Sequence, residues 1–177
     1  PPVRCDHPSC ETGLLRGDDF SMLVVVNHDE GEIETEIALP GAGGKTILGL
    51  PDFQRVKTRN AGDEIRFTAR LAARDGKVFA IYDDLPSVAE IACKVAGKDL
   101  EYTVNLKNRD GRRVQGTHLL EIEVKDAAGK KQERYSGLVC AERGSYRRKV
   151  RIAVNDPQGR WTVSVATPCN GRRFSRR

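Results

Sequence analysis

Alternation of apolar and polar residues along short segments constrains the fold of this chain more than any other feature of its sequence. Residues 33–39 and 65–71 alternate between one mostly apolar and one mostly charged set of side chains, and residues 120–125 do the same. Because successive side chains of a strand point to opposite faces of a sheet, this period of two predicts half-buried β-strands. No segment of ten or more residues keeps a helical repeat. The sequence therefore predicts an all-β protein.

Turn residues separate the predicted strands, and one polar break divides the strands into two groups. Asn108-Arg109-Asp110-Gly111 predicts a tight turn, and Arg74-Asp75-Gly76-Lys77 predicts a hairpin with Asp-Gly at its centre. The alternation stops at Asp83-Asp84-Leu85-Pro86-Ser87 and then restarts, which indicates a short linker. We therefore expect two consecutive antiparallel β-sandwich modules, both immunoglobulin-like, in residues 1–85 and 86–177.

Two aromatic residues of the second half attract different interpretations. Asp156-Pro157-Gln158-Gly159 fits a type I turn that joins the last two strands as a hairpin. Trp161 follows this turn, and its spacing from Val163 and Val165 predicts a buried core position. Tyr146 lies in the basic segment 143–149, where we expect a loop tyrosine that could stack on a base or a sugar.

Positive charge is concentrated at the carboxyl end of the sequence. Residues 134–177 hold eleven Arg or Lys and two acids, Glu142 and Asp156, a local charge of +9, so the other residues carry −4 of the total +5. Such a region can attract phosphates or an acidic partner, but the simpler interpretation is a solvated face of arginine-rich strands. We expect no nucleic-acid partner.

No apolar segment is long enough to predict a membrane span. The longest apolar run, Met22–Val26, is far shorter than the roughly 20 residues that a transmembrane helix needs. The chain begins without Met and ends abruptly, so we expect it to be part of a longer protein whose signal segment would not be visible here.

Five cysteines are too few and too irregular for a disulfide scaffold, and the odd number leaves one thiol unpaired in a monomer. Cys5 and Cys10 bracket a short loop and could pair, and Cys140 and Cys169 could meet across a sandwich. Together with Cys93 they weakly favour an exported parent protein, periplasmic or secreted, although buried free thiols would look the same.

A phosphate-binding loop is suggested by Gly44-Lys45-Thr46, but its context disagrees. The pattern requires glycine where this chain has Leu39, and it requires a following helix, which Ile47-Leu48-Gly49-Leu50-Pro51 cannot form. We interpret the segment as a glycine-rich hairpin loop and expect no nucleotide cofactor.

The sequence patterns for a metal site and for a catalytic nucleophile are also incomplete. Cys5, His7 and Cys10, with a distant His28, could supply zinc ligands, but no second compact ligand pair is present. His28 and His118 fall at predicted strand ends, and no histidine has a nucleophile in a recognisable elbow. We therefore predict no metal site and no catalytic histidine.

Carboxylates are plentiful, but they fall in turns or on predicted solvent faces. These are Asp18-Asp19, Asp29-Glu30, Asp83-Asp84, Glu121 and Glu123. A glycosidase acid/base pair stays open, because its two members need only be neighbours in space. We predict no catalytic residue, and the ligand-binding residues stay open.

Three strand signatures of the first half resemble a known family. Leu23–His28, Ile33–Pro40 and Gly76–Ile81 are similar to the small β-sandwich that follows the catalytic barrel in many glycoside hydrolases, β-galactosidase-like enzymes among them. In the second half, residues 108–111, 116–122 and 153–163 resemble bacterial immunoglobulin-like or macroglobulin-like modules.

The resemblance implies an accessory carboxy-terminal region of a bacterial multidomain protein, with the barrel and its catalytic carboxylates outside this chain. We therefore expect non-catalytic modules that pack against or space other domains of the parent protein. The alternative is a carbohydrate-binding module, although the sequence shows no cluster of exposed aromatic residues. A small enzyme and a nucleic-acid-binding protein are the remaining, less favoured readings.

Overall fold

The computed structural model of the chain describes residues 2–17 and 20–176, so Asp18 and Asp19 lie outside the described residues. Within these residues the chain forms sixteen strands and one short 3-10 turn, which confirms the predicted all-β class. In the same residues no helix is long and apolar enough to cross a membrane. The chain divides into two compact units, Pro1–Asp84 and Leu85–Arg177.

The described part of the first unit is a sandwich of two antiparallel sheets. Its strands are β1 (Arg4–Cys5), β2 (Cys10–Arg16), β3 (Ser21–Asn27), β4 (Ile33–Pro40), β5 (Thr46–Leu50), β6 (Gln54–Arg55), β7 (Arg59–Ala61), β8 (Glu64–Leu71) and β9 (Gly76–Tyr82). One sheet has the order β1-β4-β8-β7 and the other β2-β3-β9-β5-β6. The alternating apolar residues of β4 and β8 face inward, where Ile37, Phe67 and Leu71 pack in the core.

The predicted hairpin at residues 74–77 is wrong. A turn is present, closed by the bond from the Asp75 N–H to the Ala72 carbonyl at 3.3 Å. However, β8 pairs with β4 and β7, whereas β9 pairs with β3 and β5 in the other sheet. The connection therefore crosses between sheets. Asp-Gly indicates where the chain turns, but it does not decide which strand the next segment joins.

The described part of the second unit is also an antiparallel sandwich. Its strands are β10 (Val88–Ala96), β11 (Asp99–Lys107), β12 (His118–Lys125), β13 (Gly137–Ala141), β14 (Ser145–Arg151), β15 (Thr162–Thr167) and β16 (Arg172–Arg176), with the 3-10 turn Pro168–Asn170 before β16. The sheets have the orders β10-β11-β14 and β13-β12-β15-β16. In a constant-type immunoglobulin domain the fourth strand lies beside the fifth in the same sheet. Here the fourth strand of the unit, β13, and the fifth, β14, lie in opposite sheets.

Two predictions for the second unit need correction. The segment around Asp156 does not form a hairpin, because β14 and β15 belong to different sheets, and β15 pairs with β16 instead. The observed turn begins three residues earlier than predicted, at Ala153, and is closed by the bond from the Asp156 N–H to the Ala153 carbonyl at 3.1 Å. Tyr146 lies within β14 rather than in a loop, and its half-buried ring packs against the core. The outward Arg147 and Lys149 made this strand look like a polar loop in the sequence.

Candidate ligand groove in the second unit

The sandwich of the second unit is open at the end of its edge strand β10. Along the inward face of β10, Ala89 and Ile91 are half-buried, but Cys93 and Val95 are exposed. Val95 stands directly opposite Leu100 on β11, yet Val95 is 63% exposed and Leu100 only 4%. Because neighbouring residues of paired strands share a face, Val95 faces inward like Leu100, and its exposure shows that the described strands of the other sheet leave this end of β10 uncovered.

A cavity of about 550 Å³ lies at this open end. One wall is the β10–β11 hairpin, which contributes Val95 and Leu100, and the other is residues 152–161 between β14 and β15. Val154 in the second wall is 84% exposed. An apolar cleft with a few polar groups is the usual form of a small-molecule site. We call this cavity, with its two walls, the β10 groove.

Trp161 forms part of the second wall rather than a core position on a terminal hairpin, so that prediction is corrected. It directly precedes β15 and is half-buried, while still packing against the core. Its indole N–H donates to the Pro157 carbonyl at 3.0 Å. Its ring lies 5.6 Å from the Tyr135 ring, at an interplanar angle of 57°. These two contacts fix the orientation of the indole at the groove.

A cluster of hydrogen bonds anchors the wall that carries Trp161. The Tyr135 hydroxyl contacts the Asp156 carboxylate, and the Ala153 N–H donates to that same carboxylate at 2.8 Å. Burial, followed by the hydrogen bond with Asp156, raises the pKa of Tyr135, so its hydroxyl is protonated at neutral pH. The Asp156 carboxylate therefore holds the loop in place.

Cations surround the groove, and several of them belong to ion pairs on the outer face of the three-stranded sheet. Lys94 reaches Glu101 at 3.1 Å, and Lys149 reaches the same carboxylate at 3.4 Å. The hydrogen bond from Lys94 lowers the pKa of Glu101 most. Lys98 and Arg160 are exposed and add positive charge to the groove lining. Two of the basic residues noted in the sequence, Arg147 and Lys149, thus lie on an outer sheet face and pair with acids of β11.

Gly44-Lys45-Thr46 lies between β4 and β5 and leads into a strand instead of a helix. The Lys45 ammonium forms an ion pair with Asp83 at 2.7 Å. A phosphate site would need backbone N–H groups at a helix N-terminus, which this segment does not supply.

The residues considered for zinc have other partners. His7 Nδ1 accepts from the Ser9 N–H at 3.3 Å, and His28 Nε2 lies 2.8 Å from Glu11 Oε2. Among the described residues, no three His, Cys, Asp or Glu side chains gather as a metal site would require. His118 is buried at the start of β12, with its Nε2 2.9 Å from the Gln115 carbonyl.

The candidate carboxylates stabilise turns and sheet faces. Asp29 accepts from the Gly31 N–H and from the Ser9 hydroxyl, and these two bonds, in that order, lower its pKa. Glu121 and Glu123 both pair with Arg173, at 3.6 and 3.0 Å. Within the described residues, Asp29 thus serves a turn of the first unit, whereas Glu121 and Glu123 serve a sheet face of the second. Among the described residues, which include all five cysteines, no disulfide is formed.

The sequence did not reveal the β10 groove, because its walls come from segments far apart in the chain. Trp161 was the one signal, and its apolar spacing favoured a core position. The exposure of Cys93 and Val95 follows from the strand order of the sheets, which local alternation does not encode.

The fold defines this chain as a tandem of antiparallel β-sandwich units. No family model and no curated protein matches it. Among solved structures, it is similar to the apo β-glucuronidase of Ruminococcus gnavus, with 10% identity and a TM-score of 0.30, over 89% of this chain and 35% of that one. The same enzyme in complex with D-glucuronic acid matches with 10% identity and a TM-score of 0.30, over 89% and 36%. The chain spans about a third of the length of these structures, and a likeness of this size assigns neither family nor function.

Proposed function

We propose that the chain is a pair of non-catalytic β-sandwich modules that serve a structural or interaction role in a larger, exported bacterial protein, as accessory modules of a glycoside hydrolase. Support comes from the two-sandwich fold and from the strand signatures of residues 23–28, 33–40 and 76–81. The observation that carries the proposal is that two of the acids have hydrogen-bond or ion-pair partners within the protein. Asp156, at the β10 groove, is bonded to Tyr135 and Ala153, and Glu123 is paired with Arg173.

A second function, carbohydrate binding, is favoured by the position of Trp161. An indole ring fixed at the wall of an apolar cleft can pack against the apolar face of a pyranose, and the polar groups around it can bond hydroxyls. The hydrogen bond to Pro157 and the contact with Tyr135 orient the ring before any ligand arrives, which lowers the entropy cost of binding. In this proposal the second unit is a carbohydrate-binding module and Trp161 its main contact.

One experiment tests both proposals. The chain is titrated calorimetrically with a panel of soluble oligosaccharides, and each sample is then analysed for hydrolysis products. We expect every oligosaccharide to be recovered intact. Hydrolysis that is lost in Asp156→Asn or Glu123→Gln would overturn the non-catalytic assignment.

Binding separates the two candidate functions. If the second unit binds carbohydrate, Trp161→Ala weakens affinity at least about tenfold, which corresponds to the stacking energy of one ring. Leu138→Ala is the matched control, because Leu138 is exposed on β13 and does not line the groove. Affinity that survives Trp161→Ala, or no binding across the panel, removes the carbohydrate proposal and leaves the interaction role.

A further inference from the structure

The two cysteines of the first unit lie at the edges of its two sheets. Cys5 ends β1, which pairs with β4, and Cys10 begins β2, which pairs with β3 in the other sheet. Both residues are half-buried and pack against the core of the unit. The remaining cysteines, Cys93, Cys140 and Cys169, belong to the second unit.

Cys5 is aimed at Cys10. The Cys5 thiol donates to the Cys10 carbonyl at 3.1 Å, with the His7 carbonyl farther away at 3.9 Å. Burial first, and the neighbouring Cys5 second, raise the pKa of Cys10 to about 12, with Asp6 adding to the rise and Thr35 opposing it.

The segment between the two cysteines is already ordered. The Cys10 N–H donates to the His7 carbonyl at 3.1 Å, which closes a tight turn through Pro8. The Asp6 carboxylate accepts from the Thr35 hydroxyl at 2.7 Å and from the Glu36 N–H at 2.8 Å, and so ties the segment to β4. A bond between the thiols would therefore form within a segment whose conformation is held by contacts other than the bond itself.

We propose that Cys5 and Cys10 form an intramolecular disulfide that fastens edge strand β1 to edge strand β2, and thereby joins the two sheets of the first unit covalently. This inference goes beyond the proposed function and does not depend on it. A bond between the two edge strands opposes their separation, and the edges are the part of a sandwich that opens first.

The oxidant is a low-molecular-weight disulfide such as oxidised glutathione. One protein thiol loses its proton and attacks a glutathione sulfur, which gives a mixed disulfide and releases one glutathione thiolate. The second protein thiol, deprotonated in turn, attacks the protein sulfur of the mixed disulfide and releases the second glutathione. The protein loses two protons and two electrons, and the reagent gains both. Because the Cys10 thiol is protonated at neutral pH, closure is slow there and faster in alkali.

The test uses a convenient feature of the sequence. Trypsin cleaves after Arg4 and Arg16, so both cysteines fall in the single peptide 5–16. The whole chain is incubated with oxidised glutathione at mildly alkaline pH, alkylated under denaturing conditions and digested. We expect peptide 5–16 lighter by two hydrogen atoms and without alkyl groups. We also expect the thermal midpoint of the first unit to rise by roughly 10 °C.

Controls separate this bond from general thiol oxidation. Cys10→Ser and Cys5→Ala should each abolish the shift in midpoint, whereas Cys140→Ser, at an exposed thiol of the second unit, should preserve it. Trp161 is the one tryptophan of the chain, so its fluorescence reports the second unit, whose midpoint should not move. Two alkyl groups on peptide 5–16 after oxidation, or a closed disulfide without a rise in midpoint, would overturn the proposal.

Discussion

Both units are antiparallel sandwiches, but their edge strands differ in how far they are covered. In the first unit, β1 and β2 bring Cys5 and Cys10 together at the margin of the two sheets, and the buried side chain of Asn27 links two of the inter-sheet turns. In the second unit, the end of β10 stays uncovered, and Val95 and Val154 are exposed beside a cavity. Exposed apolar residues next to a cleft are typical of binding surfaces. The two units thus differ at their margins: Cys5 and Cys10 meet there in the first, whereas Val95 is exposed there in the second.

The sharpest test of the comparison replaces one aromatic residue in each unit. Phe79 is buried in the first core, where its ring lies 5.0 Å from that of Phe67 in an edge-to-face contact. Phe79→Ala should lower the free energy of unfolding of the first unit by about 4 kcal/mol, as expected for emptying a core aromatic site. Trp161→Ala should lower that of the second unit by only about 2 kcal/mol, because its side chain is only partly buried.

Chemical denaturation monitored by circular dichroism measures both changes. In Phe79→Ala, the fluorescence of Trp161 serves as an internal control and should report an unchanged second unit. Equal losses of unfolding free energy in the two variants would mean that Trp161 is a core residue. The β10 groove would then lose the main residue of its second wall.

The second test compares two asparagines that organise turns. Asn27 is 1% exposed, and its amide donates to the Gly31 and Ala72 carbonyls, both at 2.8 Å, so it joins two connections between the sheets. Asn108 is partly exposed, and its side-chain oxygen accepts from the N–H groups of Asp110 and Arg112, within its own turn.

Asn27→Ala should therefore lower the free energy of unfolding of the first unit by about 2 kcal/mol, because it removes the two amide hydrogen bonds that tie the inter-sheet connections to the buried Asn27 side chain. Asn108→Ala should cost about 0.5–1 kcal/mol in the second unit, since water can replace its bonds. Urea titrations of the two variants give these values. A loss of similar size in both would show that the first unit is not held at its turns more tightly than the second.

Local alternation predicted most strands of both units, because the inward residues of β4, β8 and β12 are apolar and their neighbours are charged. It did not predict strand partners. The turns near Asp75 and Asp156 both cross between sheets, and a turn sequence records the change of direction without recording which strand lies beyond it. The start of β14 was missed because its outward residues are basic. The groove was missed because the exposure of Val95 depends on which strands of the opposite sheet reach it.

The smallest expected difference between the units concerns acid. Several carboxylates have a pKa lowered by hydrogen bonds or ion pairs, and these are Asp6, Asp29 and Glu64 in the first unit and Glu101 and Glu123 in the second. For Glu64 the largest cause is the hydrogen bond from Arg66, and for Glu123 it is the hydrogen bond from Lys125. A carboxyl whose pKa is lower in the folded than in the unfolded protein adds stability above its unfolded pKa and loses it on acidification.

Both units should therefore become less stable as the pH falls from about 5 to about 3. Added salt should shrink the part that comes from the ion pairs, because their Arg and Lys partners are exposed. Glu64→Gln should remove part of the acid sensitivity of the first unit, while the fluorescence midpoint of Trp161 keeps its pH dependence in the second. Urea titrations across this pH range measure both. A first unit that keeps its full acid sensitivity in Glu64→Gln would show that the ion pairs from Arg4 and Arg66 to Glu64 contribute nothing to its stability.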